Sequence, residues 1–342
     1  MVFRLDCQRM RRWTITGERR LELHEAATPR PAAGEVLVGI ELTAVSAGSE
    51  LHAYRSGPTG FMDDPGYLAA GRVLETGAGV TTLRRGDRVF AAAPHGDAAI
   101  VPAHRVVPVP DEAPFDDAVL CYLASLGLYC LHAGEYAAGE NVAVVGLGVV
   151  GLCAALVATA CGARVHAVDA DDDRLRFAAG LGLSTWDGRD PELSAGVLRA
   201  SPEGIDLVVE TSGSWRGLDT AARMCRRGSR ISVLGVYRDL PDAQTGAALH
   251  RQLLSYPAKF HYDGIRIVGC ANHPWRDAHD TGDGWSVQRA LRYLLERVAR
   301  RRLALAPVVT DRIAPGDLPE LYARLDDGDR SVVGVLIDWT AG

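Results

Sequence analysis

Three glycines, spaced as phosphate-binding loops require, form the most informative motif in this chain of 342 residues. They are Gly146, Gly148 and Gly151, and they follow the apolar run Asn141–Val145. After a strand, this spacing permits a tight turn, lets a pyrophosphate approach the backbone and lets the next helix pack closely. Free N–H groups at the start of that helix then face the anion. The motif therefore predicts a dinucleotide-binding turn, whereas a glycine turn that serves packing alone is the simpler alternative.

A carboxylate beyond the turn bears on which dinucleotide is bound. Asp169 ends the next apolar run, about 20 residues beyond the glycines, where a carboxylate accepts hydrogen bonds from the adenosine ribose hydroxyls. The 2′-phosphate of NADP would meet Asp169 and the aspartates at 171–173, and like charges at that range repel. We therefore expect NAD as the cofactor. Arg174 is the nearest cation, and we expect it to lie over the adenine or to pair with the acidic residues.

The elements that must position these residues alternate between short apolar runs and helical stretches. The apolar runs are Asn141–Val145, Arg164–Val168, Asp206–Glu210, Arg230–Leu234 and Ile265–Gly269. This alternation is typical of a parallel sheet with crossover helices. The first 120 residues, rich in glycine and proline, instead predict β-structure, with a half-buried strand over Val36–Ala44. The tail predicts a helix at Trp285–Arg301 and strands near Ala306–Arg312 and Ser331–Asp338, so a βα core is inserted in a β-rich domain.

Composition excludes several classes of protein. The 37 basic and 43 acidic residues give a net charge of −6, which argues against a nucleic-acid-binding face. The seven cysteines include no Cys-x-x-Cys pair, so we expect free thiols in a reducing cytoplasm rather than a disulfide framework. No signal peptide is expected at the start of the chain. The uncharged segment Val142–Cys161 contains the glycine turn, so we interpret it as a strand, turn and helix and not as a membrane span.

Several further motifs occur in one order along nearly the whole chain. They are Gly34-Glu-Val-Leu-Val, Ala47-Gly-Ser-Glu-Leu-His52, Gly66-Tyr-Leu-Ala-Ala-Gly71-Arg-Val, Gly86-Asp-Arg-Val89, the glycine turn and Glu210-Thr-Ser-Gly213. Together they resemble the medium-chain dehydrogenase/reductase family, the superfamily of zinc alcohol and polyol dehydrogenases. The resemblance implies a GroES-like β-rich catalytic domain over residues 1–122 and 271–342. It also implies a Rossmann NAD-binding domain with a doubly wound parallel sheet over residues 123–270, and an active site in the cleft between them.

The resemblance also extends the set of cofactor-binding residues beyond the glycines, Asp169 and Arg174. The added residues are Val149 and Val150 at the turn, and Thr211, Ser212, Gly213, Leu234, Gly235, Val236 and Ala271 near the nicotinamide. It further suggests that the polar segment His261–Trp285 is a substrate lid, and that the chain forms a homodimer through the sheet edge at Ile265–Gly269. A metal site formed by two histidines of the lid segment, His273 and His279, is a less favoured alternative to solvated turns.

The chain departs from the family at the zinc ligands. Zinc-dependent members carry a cysteine at the position of Ala47 and a histidine at that of Tyr67, while Cys121 stands at the third ligand position. One ligand cannot hold Zn²⁺, which needs three protein ligands and an open position. The cysteines of the structural zinc loop are missing as well, because none occurs between Cys7 and Cys121. We therefore predict a zinc-independent member, in which Cys121 is a small buried apolar side chain.

Without zinc, hydrogen-bond donors and a general acid–base must act on the reacting oxygen. The resemblance matches Ser49 and His52 to a proton-relaying pair, and it places Tyr67 where a zinc-binding histidine would be. Glu50 is the fourth catalytic candidate because it adjoins Ser49. A tyrosine titrates at about 10 when unperturbed, so Tyr67 is expected to donate a hydrogen bond as a neutral phenol.

Each catalytic candidate also has a structural alternative. They are a surface position for His52, a helix N-cap for Ser49, a solvated first-turn carboxylate for Glu50 and space filling for Tyr67. The function expected first is hydride transfer between NAD(H) and a secondary alcohol or ketone of a polar small molecule, such as a sugar, a cyclitol or a biosynthetic intermediate. A reductase of conjugated C=C bonds, in enoyl compounds or quinones, is the second hypothesis. A cofactor-binding protein without turnover is the third.

Overall fold

The computed structural model describes residues 9–60, 62–255, 259–270, 275 and 285–340. The chain divides into two compact units. The first unit comprises Met1–Tyr122 together with Pro274–Gly342, and the second unit comprises Leu123–His273.

The described strands and helices follow one another along both units. The strands are β1 (Arg9–Gly17), β2 (Arg20–Ala27), β3 (Glu35–Ala44), β4 (Ala69–Thr76), β5 (Arg88–Ala91), β6 (Ala98–Pro102), β7 (Val106–Pro108), β8 (Asn141–Val145), β9 (Arg164–Asp169), β10 (Ser184–Asp187), β11 (Ile205–Glu210), β12 (Cys225–Val233), β13 (Arg266–Gly269), β14 (Val309–Ile313) and β15 (Gly334–Asp338). The helices are α1 (Ala47–Ser56), α2 (Phe115–Ala118), α3 (Cys121–Ala133), α4 (Val149–Ala160), α5 (Asp172–Gly180), α6 (Leu193–Ala200), α7 (Trp215–Met224), α8 (Ala243–Leu249), α9 (Lys259–Tyr262), α10 (Val287–Ala299) and α11 (Leu318–Asp326). Short 3₁₀ turns occur at Ala103–Arg105, Ala306–Val308 and Pro315–Asp317, and a π-helical turn at His250–Leu254.

The first unit is built on a sheet in the order β14-β15-β3-β4-β5-β7, with β6 also paired to β3. The central strand β3 pairs antiparallel with β4, β6 and β15. Val36, Val38 and Ile40 enter the main core on one face, and Leu37 and Leu42 are buried as well. The prediction of a half-buried strand over Val36–Ala44 is therefore wrong, because both faces of β3 are covered.

The second unit contains a parallel sheet in the order β10-β9-β8-β11-β12-β13. The five apolar runs of the sequence are strands of this sheet, with ends that differ most at β12, which begins at Cys225. The edge strand β10 was not predicted because it is short and polar. Strand order reverses between β8 and β11, and the crevice at the carboxyl ends of such strands is where open parallel sheets bind ligands.

The C-terminal elements are shorter than their sequence pattern predicts. α10 begins at Val287 because Ser286 caps it, the hydroxyl accepting a hydrogen bond from the Arg289 N–H at 3.2 Å. A 3₁₀ turn precedes β14, so this strand begins at Val309. Within the described ranges, no helix combines the length and apolar character needed to cross a membrane.

Candidate active site

The glycine turn of the second unit has the geometry that the sequence predicts. Gly146 has a φ of +95°, a conformation open to glycine. A Cβ on Gly151 would lie 1.8 Å from the carbonyl oxygen of Gly146, so helix and turn approach too closely for any side chain. Gly148 offers no side chain to cap α4, which leaves the N–H groups of its first turn, at Val149 and Val150, for an anion. These features fit a dinucleotide pyrophosphate.

Asp169 and Arg174 flank the turn. The Asp169 carboxylate accepts hydrogen bonds from the N–H groups of Leu147 at 2.6 Å, Ala170 at 2.7 Å and Asp171 at 3.0 Å. It therefore reaches the glycine turn from the end of β9. A guanidinium nitrogen of Arg174 lies 3.1 Å from the point where a Cβ on Gly148 would be. The side chain thus lies against the turn, where it can contact a bound cofactor.

The predicted nicotinamide-end residues converge on the same edge of the sheet. The Thr211 hydroxyl donates to the carbonyl of Gly146 at 2.7 Å, which ties the loop after β11 to the glycine turn. A Cβ on Gly235 would lie 2.3 Å from the nitrogen of Gly213, so the loops after β11 and β12 are in direct contact. Leu234 lies in the second of these loops. Val236 is 53% exposed there. Ala271 and most of the expected lid, including His273 and His279, lie outside the described residues.

Glu210 is a buried carboxylate that sequence reasoning used only as part of a motif. It accepts hydrogen bonds from the N–H of Ser212 at 2.8 Å, from the Ser212 hydroxyl, and from the Tyr237 hydroxyl at 2.6 Å. Burial raises the pKa of Glu210 above its usual range, and the hydrogen bonds oppose this rise. Tyr237 had no signal in the sequence, because it belongs to no local motif. Its ring lies 4.6 Å from that of Trp215.

In the first unit, Tyr67 lies beside the start of α1. Its hydroxyl donates to the Ser46 hydroxyl oxygen at 2.6 Å and also takes part in a hydrogen bond with Ser49. Burial raises the pKa of Tyr67 to about 12, and the nearby charge of Glu50 adds to the rise. The side chain is therefore a neutral phenol over the physiological pH range, as the sequence reasoning expected.

The start of α1 differs from expectation at two residues. Ser46, and not Ser49, occupies the N-cap position, because the helix already begins at Ala47. Glu50 is fully buried, so the expectation of a solvated first-turn carboxylate is wrong. Its carboxylate is surrounded by protein donors instead of water, and this position does not suit a residue that touches substrate.

The donors to Glu50 come from distant parts of the first unit. They are the N–H of Ser46 at 2.7 Å, His95 Nε2 at 3.0 Å and the hydroxyl of Tyr322. His95 Nδ1 lies 2.9 Å from the Thr43 hydroxyl oxygen. Sequence analysis missed His95 and Tyr322, since neither belongs to a local motif.

His52, the remaining catalytic candidate, is exposed on α1. Within the described structure, no hydrogen bond joins it to Ser49, Tyr67 or Glu50. The structure therefore brings Tyr67 and Ser49 together and leaves His52 on the surface.

An aromatic cluster adjoins Tyr67. The ring centroid of Tyr122 lies 5.4 Å from that of Tyr67 in an edge-to-face arrangement. Tyr122 also stacks with Phe90 at 6.1 Å and with Trp275 at 5.9 Å. No spacing in the sequence indicated this cluster, because its members come from four separate segments.

The zinc-ligand positions of the family do not form a metal site here. Ala47 has no ligating atom, Tyr67 is a neutral phenol, and the buried Cys121 thiol lies 3.5 Å from the Asp117 carbonyl. Across the ranges that the structure describes, no group of three or more His, Cys, Asp or Glu residues could hold a metal ion. The residues present do not fit Zn²⁺, and zinc independence stays a prediction.

Known proteins resemble this chain in both sequence and fold. Residues 149–277 match the family model of zinc-binding dehydrogenases. An alcohol dehydrogenase of Geobacillus stearothermophilus is 25% identical over 338 residues, which cover 87% of this chain and 94% of the relative. The fold is similar to 2R,3R-butanediol dehydrogenase of Bacillus subtilis, with a TM-score of 0.78 and 19% identity over 96% of this chain and 99% of that one.

Two further structures of this fold hold nicotinamide cofactors. An Escherichia coli short chain alcohol dehydrogenase complexed with NADH has a TM-score of 0.77 at 16% identity, covering 97% of this chain and 100% of that one. A Sinorhizobium meliloti putative zinc-binding dehydrogenase bound to NADP has a TM-score of 0.77 at 17% identity, covering 96% and 99%. The chain is thus similar in sequence to zinc-type alcohol dehydrogenases and shares the fold of the medium-chain dehydrogenases, and its α/β fold class is confirmed.

Proposed function

We propose that this protein is a zinc-independent dehydrogenase that transfers hydride between NAD(H) and a secondary alcohol or ketone of a polar small molecule. A sugar, a cyclitol or a biosynthetic intermediate fits this class. The observation that carries the proposal is the glycine turn, with Asp169 hydrogen-bonded to it at the strand-order reversal of the sheet. The bound cofactor supplies the hydride donor or acceptor.

The residues of the second unit bind and orient that cofactor. The N–H groups at the start of α4 hold the pyrophosphate, and Arg174 adds a positive charge beside Gly148. Asp169 accepts hydrogen bonds from the ribose hydroxyls and repels a 2′-phosphate, which supports NAD over NADP.

The first unit supplies the proton donor in this proposal. Tyr67, a neutral phenol whose pKa burial raises to about 12, donates a hydrogen bond to the substrate oxygen when the Ser46 hydroxyl rotates and donates to the phenol oxygen instead of accepting from it. Ser46 and Ser49 hydrogen-bond with the phenol and orient it, and they offer a route by which a proton reaches it. His52, exposed at the same helix, is the candidate for proton exchange with solvent.

A comparison of the four nicotinamide nucleotides tests this function. Thermal-shift titration should show NAD⁺ and NADH raising Tm at concentrations where NADP⁺ and NADPH do not, with no stoichiometric zinc in the same sample. Asp169→Ser should weaken this preference for NAD(H). NADH oxidation by polar ketones, but not by enones or quinones, supports the dehydrogenase. Turnover of enones or quinones alone supports the second hypothesis, and nucleotide binding without turnover supports the third.

We also propose a homodimer formed through β13, in the reducing cytoplasm. β13 is an edge strand of the sheet, and Ile267 on it and Phe260 before it are 43% and 49% exposed. None of the six described cysteines forms a disulfide, which suits a reducing compartment. Sedimentation of the wild type and of Ile267→Asp checks the assembly: a dimer that becomes a monomer supports the proposed edge.

A further inference from the structure

Glu210 lies where two loops of the second unit meet. The β11 loop is residues 211–214, and the β12 loop is residues 234–237. One carboxylate oxygen, Oε1, accepts hydrogen bonds from the N–H and the hydroxyl of Ser212 in the β11 loop. The other, Oε2, accepts from the Tyr237 hydroxyl in the β12 loop at 2.6 Å. A single carboxylate thus accepts hydrogen bonds from both loops.

The backbone of Glu210 joins the same two loops. Its carbonyl oxygen accepts hydrogen bonds from the N–H groups of Leu234 at 2.9 Å and Gly235 at 3.0 Å. A Cβ on Gly235 would lie 2.6 Å from Glu210 Oε2, and one on Gly213 would lie 2.9 Å from the Val236 carbonyl oxygen. No side chain fits between the loops, so the carboxylate and the backbone hold them in one fixed arrangement.

The β11 loop also contacts the glycine turn. A Cβ on Gly146 would lie 2.8 Å from the nitrogen and Cα of Ser212, and Thr211 hydrogen-bonds the Gly146 carbonyl at 2.7 Å. A shift of the β11 loop would therefore displace the turn on which the pyrophosphate rests.

We propose that Glu210 is a positioning residue for the nicotinamide dinucleotide, because it locks the β11 and β12 loops to each other and to the glycine turn. It does not touch the cofactor, since its carboxylate is buried and hydrogen-bonds to Ser212, Gly213 and Tyr237 in the described structure. This inference rests on the proposed function in one respect, namely that a dinucleotide binds at the turn.

The chemistry of the carboxylate suggests a selective variant. An ionised carboxylate only accepts hydrogen bonds, so it can serve donors from both loops. In Glu210→Gln, the amide oxygen can still accept from Ser212, but the amide NH₂ would face the Tyr237 hydroxyl, which donates in the native protein. Tyr237→Phe breaks the same link from the other side and leaves Glu210 bonded to Ser212.

The matched control is Tyr136→Phe. Tyr136 also lies in the second unit and also bears a hydrogen-bonded hydroxyl, which donates to the Cys161 carbonyl at 3.3 Å. It precedes β8 and so lies near the amino ends of the strands, whereas both loops follow their carboxyl ends. The control removes one phenol hydroxyl without touching either loop.

The experiment measures loop protection and cofactor affinity separately. Amide hydrogen exchange on the protein without nucleotide should show faster exchange at Ser212, Leu234 and Gly235 in Glu210→Gln and Tyr237→Phe. NADH fluorescence titration should show Kd raised about tenfold, because loops that have lost this link must be ordered again when the nucleotide binds. The KM for the alcohol and kcat at saturating nucleotide should stay within about twofold, and Tyr136→Phe should change neither exchange nor Kd.

Three results would overturn the proposal. They are unchanged exchange in both loop variants, a lower Tm with an unchanged Kd, and an equal rise of Kd in Tyr136→Phe. If Glu210→Gln fails to fold, Tyr237→Phe carries the same comparison. If the wild type binds neither NADH nor NADPH, the proposed function fails, and with it the cofactor role of Glu210. The exchange data would still show whether Glu210 locks the loops.

Discussion

In the part of each unit that the structure describes, a fully buried glutamate accepts one hydrogen bond from a tyrosine hydroxyl and another from a backbone N–H. Glu50 has this arrangement in the first unit with Tyr322, and Glu210 has it in the second unit with Tyr237. Burying an ionised carboxylate is costly unless donors satisfy it. Both sites therefore offset the cost of burying a carboxylate with the same kinds of donor, namely a tyrosine hydroxyl and a backbone N–H.

They differ in how far along the chain their partners lie. Tyr322 is 272 positions from Glu50, and His95 is 45 positions away. Tyr237 is only 27 positions from Glu210, and Ser212 is two positions away. The Glu50 network thus links remote segments of the first unit and stabilises its fold. The Glu210 network instead fixes the positions of two neighbouring loops. We expect their loss to differ accordingly, in stability for the first and in cofactor binding for the second.

The largest effect is expected from Glu50→Ala. Removing this carboxylate leaves the Ser46 N–H, His95 and Tyr322 with unsatisfied buried donors, and the variant should lose about 3–5 kcal/mol of unfolding free energy. Denaturant unfolding measures the loss of unfolding free energy, and hydrogen exchange shows which unit is destabilised. Full stability of the first unit in this variant would remove the distinction between the two networks.

A smaller but selective effect is expected from Tyr67→Phe. Its hydroxyl bonds Ser46, whose N–H bonds Glu50, so Tyr67 lies at the outer end of the Glu50 network. Loss of a proton donor typically costs about 10²-fold in rate, so kcat should fall by about that factor while Tm changes by little. Steady-state kinetics beside calorimetry checks this. A fall of Tm with unchanged kcat would make Tyr67 part of the fold alone.

The pair Tyr322→Phe and Tyr237→Phe compares the networks directly. Each change removes one phenol hydroxyl from a buried carboxylate. Tyr322 is fully buried, so its loss should cost about 2 kcal/mol, whereas the partly exposed Tyr237 should cost about 1 kcal/mol. Parallel unfolding of both variants and of wild type measures the difference. A reversed order would mean that burial of the tyrosine hydroxyl does not set the stability that each network contributes.

The sequence predicted the second unit better than the first, because the informative residues of the second unit lie closer together along the chain. The glycine turn and Asp169 are close in sequence, and local structure is specified by the periodicity of apolar residues and the spacing of motif residues. The Glu50 network was missed because His95 and Tyr322 meet Glu50 only after the sheet and α11 have formed. Similarly, the pattern of β3 alternates as a half-buried strand would, yet three partner strands and covered faces bury it.

The smallest effect expected is a pH dependence confined to Glu210. Burial raises its pKa, so the folded state holds this proton more tightly than the unfolded state. The contribution to stability is therefore present below the ordinary glutamate pKa of about 4.3 and is lost as pH rises through the higher folded value. The neighbouring Tyr237 and Cys130 have raised pKa values and stay neutral over this range, so Glu210 alone titrates among these three.

Protonation should have the same consequence for the loops as the amide variant, because a carboxylic acid loses one of the acceptors that Ser212 and Tyr237 require. The Kd of wild type for NADH should rise by about threefold on mild acidification and approach that of Glu210→Gln, whose own Kd should change less. NADH titrations at matched ionic strength measure the difference in Kd between wild type and Glu210→Gln at each pH. A difference in Kd that stays constant with pH would show that the geometry of Glu210, and not its charge, positions the loops.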